Sequence, residues 1–192
     1  MVFTLDLHPS LDLTDEEFEQ ICTRNPDLKF ERTAQGELVI VALTGGETGR
    51  RNMKLSARLE NWSDRTQLGV AFDSSTGFRL PNGSIRSPDA AWVSLARWQE
   101  LTPEQRKKYV PLCPEFLVEL KSASDELEDV QAKMKEYLAN GLQLGWLLNP
   151  ENQTVEVYQP NVAVEVLQQP TAISGSPVLP EFVLDLAGIL FE

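Results

Sequence analysis

Stripes of apolar residues at helical spacing alternate along this chain with short β-type runs, and Gly, Pro and Asn clusters separate most of them. LTDEEFEQICTRNPD predicts a first helix, with Thr14 and Glu17 at capping-box spacing, Phe18, Ile21 and Cys22 as its apolar stripe, and Asn25-Pro26-Asp27 as its stop. Residues 28–32 and 37–43 predict a hairpin turning at Ala34-Gln35-Gly36. A second helix over about 48–62 carries Leu55, Leu59 and Trp62 as a core-facing row. Strands near 69–73, 77–80 and 89–94 predict a β-meander, with Asn82-Gly83 as one of its turns. A helix follows from Pro103, then a strand at 115–121 and a helix from about 125 to 139 ended by Asn140-Gly141. Strands near 144–148 and 154–158 predict another hairpin, and VAVEVLQQ and EFVLDL supply late strands. The helix between 115–121 and 144–148 is long enough to cross over to a parallel neighbour, so the order predicts an α/β sandwich around a mixed sheet.

One strand breaks its own pattern. In PEFLVELKS, residues two apart share a face, so Glu119 and Lys121 are expected to project together while Phe116, Val118 and Leu120 project to the other side. Charge on an apolar strand is costly unless it is paired, metal-bound or used in chemistry. A similar acid-x-Lys triplet, Asp27-Leu28-Lys29, follows Pro26, but it falls at a polar helix end where water can solvate it and reads as a decoy.

Composition narrows the chemistry. With 192 residues and 42% hydrophobic content the chain can bury a sizeable core and reads as one domain. Cys22 and Cys113 lack zinc-ligand spacing and His8 is the only histidine, which argues against a structural zinc site, a Ser-His-Asp triad and a Cys-His pair. Oxygen-ligated Mg²⁺ or Mn²⁺ stays open. The N-terminus lacks the basic lead-in and apolar region of a signal peptide, and no run approaches the roughly 20 apolar residues of a membrane span, so a cytoplasmic location is expected. A net charge of −12 argues against a surface coated in positive charge for non-specific DNA binding. Local basic patches remain: Arg50, Lys54 and Arg58, each four apart on the second helix, read either as a phosphate-contacting row or as a solvated face, and Arg106-Lys107-Lys108 is a second cluster.

Asp89 of SPDAAWV lies on another apolar strand. Asp89, Glu119 and the main-chain carbonyl of Leu120 would form a hard-oxygen metal site, beside which Lys121 could orient or help deprotonate a water that attacks a phosphodiester. A buried acid–lysine ion pair is the structural alternative. Tyr137 and Trp146 could stack bases, but their apolar surroundings favour core packing, as for Trp92.

SPDAAWV followed by PEFLVELKSASD, with GELVIVALTGGETG, FDSSTGFRLPNG and NGLQLGWLLNPENQTVEVY, resembles the Uma2 family, an endonuclease group of the PD-(D/E)xK superfamily common in cyanobacteria. The resemblance runs from about Thr14 to about Tyr158. It implies a restriction-endonuclease-like α/β fold, a mixed β-sheet flanked by helices. The expected single domain of residues 1–192 then has a nuclease core at about 44–160, an added N-terminal helix and hairpin at 12–43, and a C-terminal arm at 161–192. By position it makes Asp89 and Glu119 the carboxylates and Lys121 the superfamily lysine. The family often has Arg or an apolar residue at that last position, and a lysine in the following helix, here Lys133, can then substitute; ledge geometry favours Lys121. Gln131 is a supporting candidate that more often would be solvated, while Glu47 and Glu31 match acid positions with structural roles favoured. Mg²⁺ or Mn²⁺ as cofactor and DNA as substrate follow from the resemblance. A homodimer is expected because two sites related by a two-fold axis suit the two strands of a duplex. Rival expectations are a nuclease-fold binding or regulatory module, favoured by the net charge, and a hydrolase of another phosphoester.

Overall fold

The computed structural model describes residues 2–8 and 13–191; positions 1, 12 and 192 of the expected domain boundaries lie outside them. The strands are β1 (Val2–Leu5), β2 (Lys29–Arg32), β3 (Leu38–Val41), β4 (Gly69–Asp73), β5 (Phe78–Arg79), β6 (Ile85–Arg86), β7 (Ala90–Ser94), β8 (Phe116–Leu120), β9 (Leu144–Asn149), β10 (Thr154–Tyr158), β11 (Glu165–Gln168), β12 (Ala172–Ser174) and β13 (Val183–Asp185). The helices are α1 (Asp15–Arg24), α2 (Gly46–Thr66), α3 (Leu95–Glu100), α4 (Pro103–Arg106) and α5 (Leu127–Ala139).

A six-stranded mixed sheet, β11-β10-β9-β8-β7-β4, forms the centre. Its β8 and β9 run parallel, Phe116 opposite Leu144 and Leu120 opposite Leu148, joined by α5 as the crossover the sequence predicts. Both strands are buried along their whole length, which is why their sequences read as near-continuous apolar runs, interrupted by Glu119 in β8 and by Gly145 and Asn149 in β9. Alternation sends Phe116, Val118, Leu120, Trp146 and Leu148 to the side packed by Leu55, Leu59 and Trp62 of α2. Leu117 and Leu147 point to the opposite side, against Val130, Met134 and Tyr137 of α5. Each of these fully buried side chains contributes about 1.5–3 kcal/mol of transfer free energy. Trp146 sits between Phe116 and Phe182 and Trp92 against Trp62, so both tryptophans are core residues as expected. Gly145 lets α5 approach closely, since a Cβ there would lie 2.6 Å from Met134 Cε. Leu179, Phe182, Leu184, Leu186, Ile189 and Leu190 of the C-terminal segment are buried in the α2-side cluster.

The expected meander is divided between two sheets. β4 pairs directly with β7, whereas β5 and β6 join a five-stranded antiparallel sheet, β1-β3-β2-β6-β5, covered by α1. The tight turn of the β5–β6 hairpin is the predicted one: Gly83 has φ +89° and its N–H donates to Leu80 O. Periodicity alone cannot tell which sheet a two-residue strand joins; here Arg32 pairs with Ile85 across the sheet. β1, β6, β12 and α3 are elements the sequence pattern did not predict. The α1 capping box forms as predicted, with Glu17 N–H donating to Thr14 Oγ1 at 3.2 Å and Thr14 N–H to Glu17 Oε2 at 2.9 Å.

Candidate active site

Strands β7 and β8 are hydrogen-bonded from Trp92 opposite Phe116 to Ala90 opposite Val118, and there the ladder stops. The next β8 amide that faces β7, that of Leu120, donates to Asp89 Oδ2 at 2.8 Å. A carboxylate thus replaces a strand where the two separate. In an extended strand one residue's N–H and C=O point the same way, so the Leu120 carbonyl faces the Asp89 side as well. From the α2 layer, Asn52 Nδ2 donates to Asp89 Oδ1 at 2.8 Å.

Glu119 shares the side of β8 that α5 covers and is 6% exposed. Its Oε1 accepts from Tyr137 Oη at 2.9 Å and pairs with Lys133 Nζ at 3.1 Å; its Oε2 accepts no hydrogen bond among the described residues. Lys133 and Tyr137 are four apart on α5 and therefore rise from one helix face. The Lys133 ammonium also lies 3.4 Å from Glu31 Oε1, and 24% of its side chain is exposed, so it borders both the buried acids and solvent.

The expected pairing of Glu119 with Lys121 is not the one the fold makes. β8 ends at Leu120, and the Lys121 ammonium turns to Glu151 Oε2 at 3.1 Å and Ser122 O at 3.3 Å. Lys133 occupies the ledge. Gln131, expected to be solvated, instead donates to Glu156 Oε1 at 2.7 Å. Glu47 is an exposed partner of Arg50 at 2.9 Å. Arg58, from the basic row that could read as phosphate-contacting or as a solvated face, donates to the carbonyls of Asp185 and Ala187, and Lys54 lies against Gly188. Those two cations of the row thus meet the C-terminal segment.

Three residues of the site were missed. Tyr137 is a core side chain, as expected, but its hydroxyl is spent on Glu119. Asn52 lies inside a long helix, a place asparagine does not favour, and that was the available signal. Lys29, discounted as a decoy, reaches Ser87 O at 3.3 Å, and its charge acts on both Glu31 and Asp89. Its position two residues before Glu31 on one strand was the clue.

Burial pushes the Asp89 carboxyl upward, and the Leu120 N–H, Lys29, Lys133 and Asn52 only partly offset it. Burial likewise raises Glu119, reinforced by the charges of Asp89 and Glu31 and opposed by Lys133. Lys133 moves the other way from what burial dictates: the Glu119 and Glu31 charges outweigh desolvation and hold its proton well above the usual lysine range. For Glu31, burial is outweighed by Lys133, Arg86, Lys29 and the Ser87 N–H, and the net direction is downward. A carboxyl lowered in the folded state stabilises the protein above its unfolded pKa and loses that contribution as pH falls through the folded value. Glu31→Gln is therefore expected to be less stable than the wild type at neutral pH, with the gap shrinking below about pH 4 in denaturant titrations.

Among the described residues no group of three or more His, Cys, Asp or Glu side chains is arranged to hold a metal ion. What lies together is the Asp89 carboxylate on the Leu120 amide, Glu119 one residue before Leu120 and near enough for the Asp89 charge to act on it, and the buried, unpartnered Oδ1 of Asn52 beside Asp89. An all-oxygen set that fills only part of a coordination sphere fits Mg²⁺ or Mn²⁺, which keep several waters and reject soft ligands.

No curated protein matches this chain. A crystal structure from Anabaena variabilis ATCC 29413, described as a "putative nuclease belonging to DUF820", shares its fold, with a TM-score of 0.76 and 20% identity over 93% of this chain and 97% of that one. The Uma2 family model, described as "Putative restriction endonuclease", matches residues 15–187. With the mixed sheet, its flanking helices and the paired carboxylates at β7 and β8 accounted for, this chain belongs to the Uma2 family.

Proposed function

We propose that the protein is a Mg²⁺- or Mn²⁺-dependent endonuclease hydrolysing DNA phosphodiesters. One arrangement carries this reading: Asp89 and Glu119 on adjoining strand ends, either side of the Leu120 amide, with the Lys133 ammonium 3.1 Å from Glu119. Asp89, Glu119 and the Leu120 carbonyl would hold the cation. The chemistry such an ion supplies when bound is neutralisation of charge on the scissile phosphate and a lowered pKa for the attacking water.

The chain's own groups divide the remaining work. Tyr137 donates to Glu119 Oε1 and holds that carboxylate in one orientation, leaving Oε2 without a hydrogen-bond partner among the described residues. Lys133, whose proton the Glu119 and Glu31 charges help to hold, acts as a cation: it orients the water through an N–H and offsets charge building on the phosphoryl oxygens. Lys29, at the Asp89 side, adds positive charge where a polyanion must approach an otherwise acidic protein.

Purified protein incubated with supercoiled and linear DNA is expected to cut only when Mg²⁺ or Mn²⁺ is present and to stop when the metal is chelated. RNA and nucleotide phosphoesters in the same assay separate a DNase from a hydrolase of another phosphoester. Absence of cleavage in all of them, with metal bound, would leave the binding-module reading in its place.

A further inference from the structure

Asn52 hydrogen-bonds Asp89 from the α2 layer. Its amide nitrogen is committed, 2.8 Å from Asp89 Oδ1, and that bond sets which way the amide oxygen points. The oxygen is shielded from solvent and has no hydrogen-bond partner. A buried carbonyl left without a donor carries the full cost of its desolvation, so a group normally found there would relieve it. No neighbouring donor is provided: Asp89 is an acceptor when ionised, and the Leu120 N–H is spent on Asp89 Oδ2. A cation satisfies an amide oxygen as well as a donor does, and an amide oxygen is a hard ligand of the kind Mg²⁺ and Mn²⁺ accept.

We infer that Asn52 belongs to the metal site, its nitrogen orienting Asp89 and its carbonyl oxygen serving as a further ligand to the cation, directly or through a water. This rests on Asp89 and Glu119 being the residues that hold the metal. It extends the site across the sheet: Glu119 is held by α5, Asp89 by α2, and the cation would tie the two helix layers together at the strand ends. Helix α2 supplies Asn52 from a rigid position, since Leu55 and Leu59 on the same helix are each 1% exposed.

Titration calorimetry of the full chain with Mn²⁺ tests this, with thermal unfolding of each variant alongside. Asn52→Ala is expected to stay folded, alanine being a better helix former, and to weaken Mn²⁺ binding by about tenfold or more. Asn52→Leu, which keeps the volume, should lose as much. Asn52→Asp, which restores an oxygen, should bind within about threefold of the wild type. Unchanged affinity in Asn52→Ala overturns the inference while leaving the Asp89/Glu119 site standing, and so does an Asn52→Asp that binds as poorly as Asn52→Ala. A wild-type protein that takes up no Mn²⁺ overturns the metal reading of Asp89 and Glu119, and this inference with it.

Discussion

Asp89→Asn and Glu119→Gln are each expected to lower metal-dependent DNA cleavage by about 10³-fold or more, because each removes a charge worth several kcal/mol to a cation-assisted transition state. Both substitutions are nearly isosteric. In Asp89→Asn the new amide carbonyl would still accept from the Leu120 N–H while its NH2 meets Asn52, whose amide must turn over to accept from it, and in Glu119→Gln the carbonyl would still accept from Tyr137, so the fold should hold. Both native carboxyls are pushed upward by burial, so neutralising them relieves rather than adds electrostatic cost. Thermal midpoints should therefore match or exceed that of the wild type. Single-turnover cleavage of supercoiled DNA, run beside thermal unfolding, separates loss of chemistry from loss of structure. A variant that retained full activity would remove that carboxylate from the site.

Lys133→Met carries the other large effect, and it falls on stability as well as activity. The ammonium stands 3.1 Å from Glu119 and 3.4 Å from Glu31, whose side chains are 8% and 4% exposed. Removing one partner from such a cluster leaves buried negative charge uncompensated, at a cost of about 3 kcal/mol. For a chain of this size that is about 10 °C in the unfolding midpoint. Arg86 stays 3.3 Å from Glu31 and limits the loss there, so most of the penalty comes from Glu119. Lys121→Met is the control: its own side chain is 8% exposed but its partner Glu151 is 70% exposed, so removing the ammonium leaves no buried charge uncompensated and should cost under about 1 kcal/mol. Cleavage by Lys121→Met should also stay close to wild type. If instead Lys121→Met were inactive and Lys133→Met active, the lysine assignment would reverse.

The two lysines show how far residue patterns reach. Alternation along β8 placed Glu119 off the Phe116–Val118–Leu120 face, and that held because every residue from Phe116 to Leu120 is extended and paired. Applying the same rule one residue further failed. Lys121 lies past the strand end, where its backbone still donates to Leu148 O but its side chain follows the β9–β10 turn to Glu151. The identity of the ledge lysine was instead decided by α5, whose register over the sheet depends on how Met134, Tyr137 and Gly145 pack. Lys29 was misread for a related reason. Judged by its neighbours in sequence it was solvated, yet β2 brings it beside Ser87, fifty-eight residues on.

Residue patterns alone gave most of the helices and strands of the central sheet and its flanks, the two buried central strands with their parallel crossover, and the two carboxylates that need a reason to be where they are. These follow from local rules: 3.6-residue stripes, near-continuous apolar runs, capping residues and the cost of charge on an apolar strand. Packing between distant segments set the rest: β5 and β6 leave the central sheet, Lys133 rather than Lys121 meets Glu119, Asn52 bonds Asp89, and the Lys29 charge acts on Asp89. Each of those depends on contacts between segments more than ten residues apart, where packing of whole helices against the sheet sets the geometry and periodicity within one element carries no information about its partner in another.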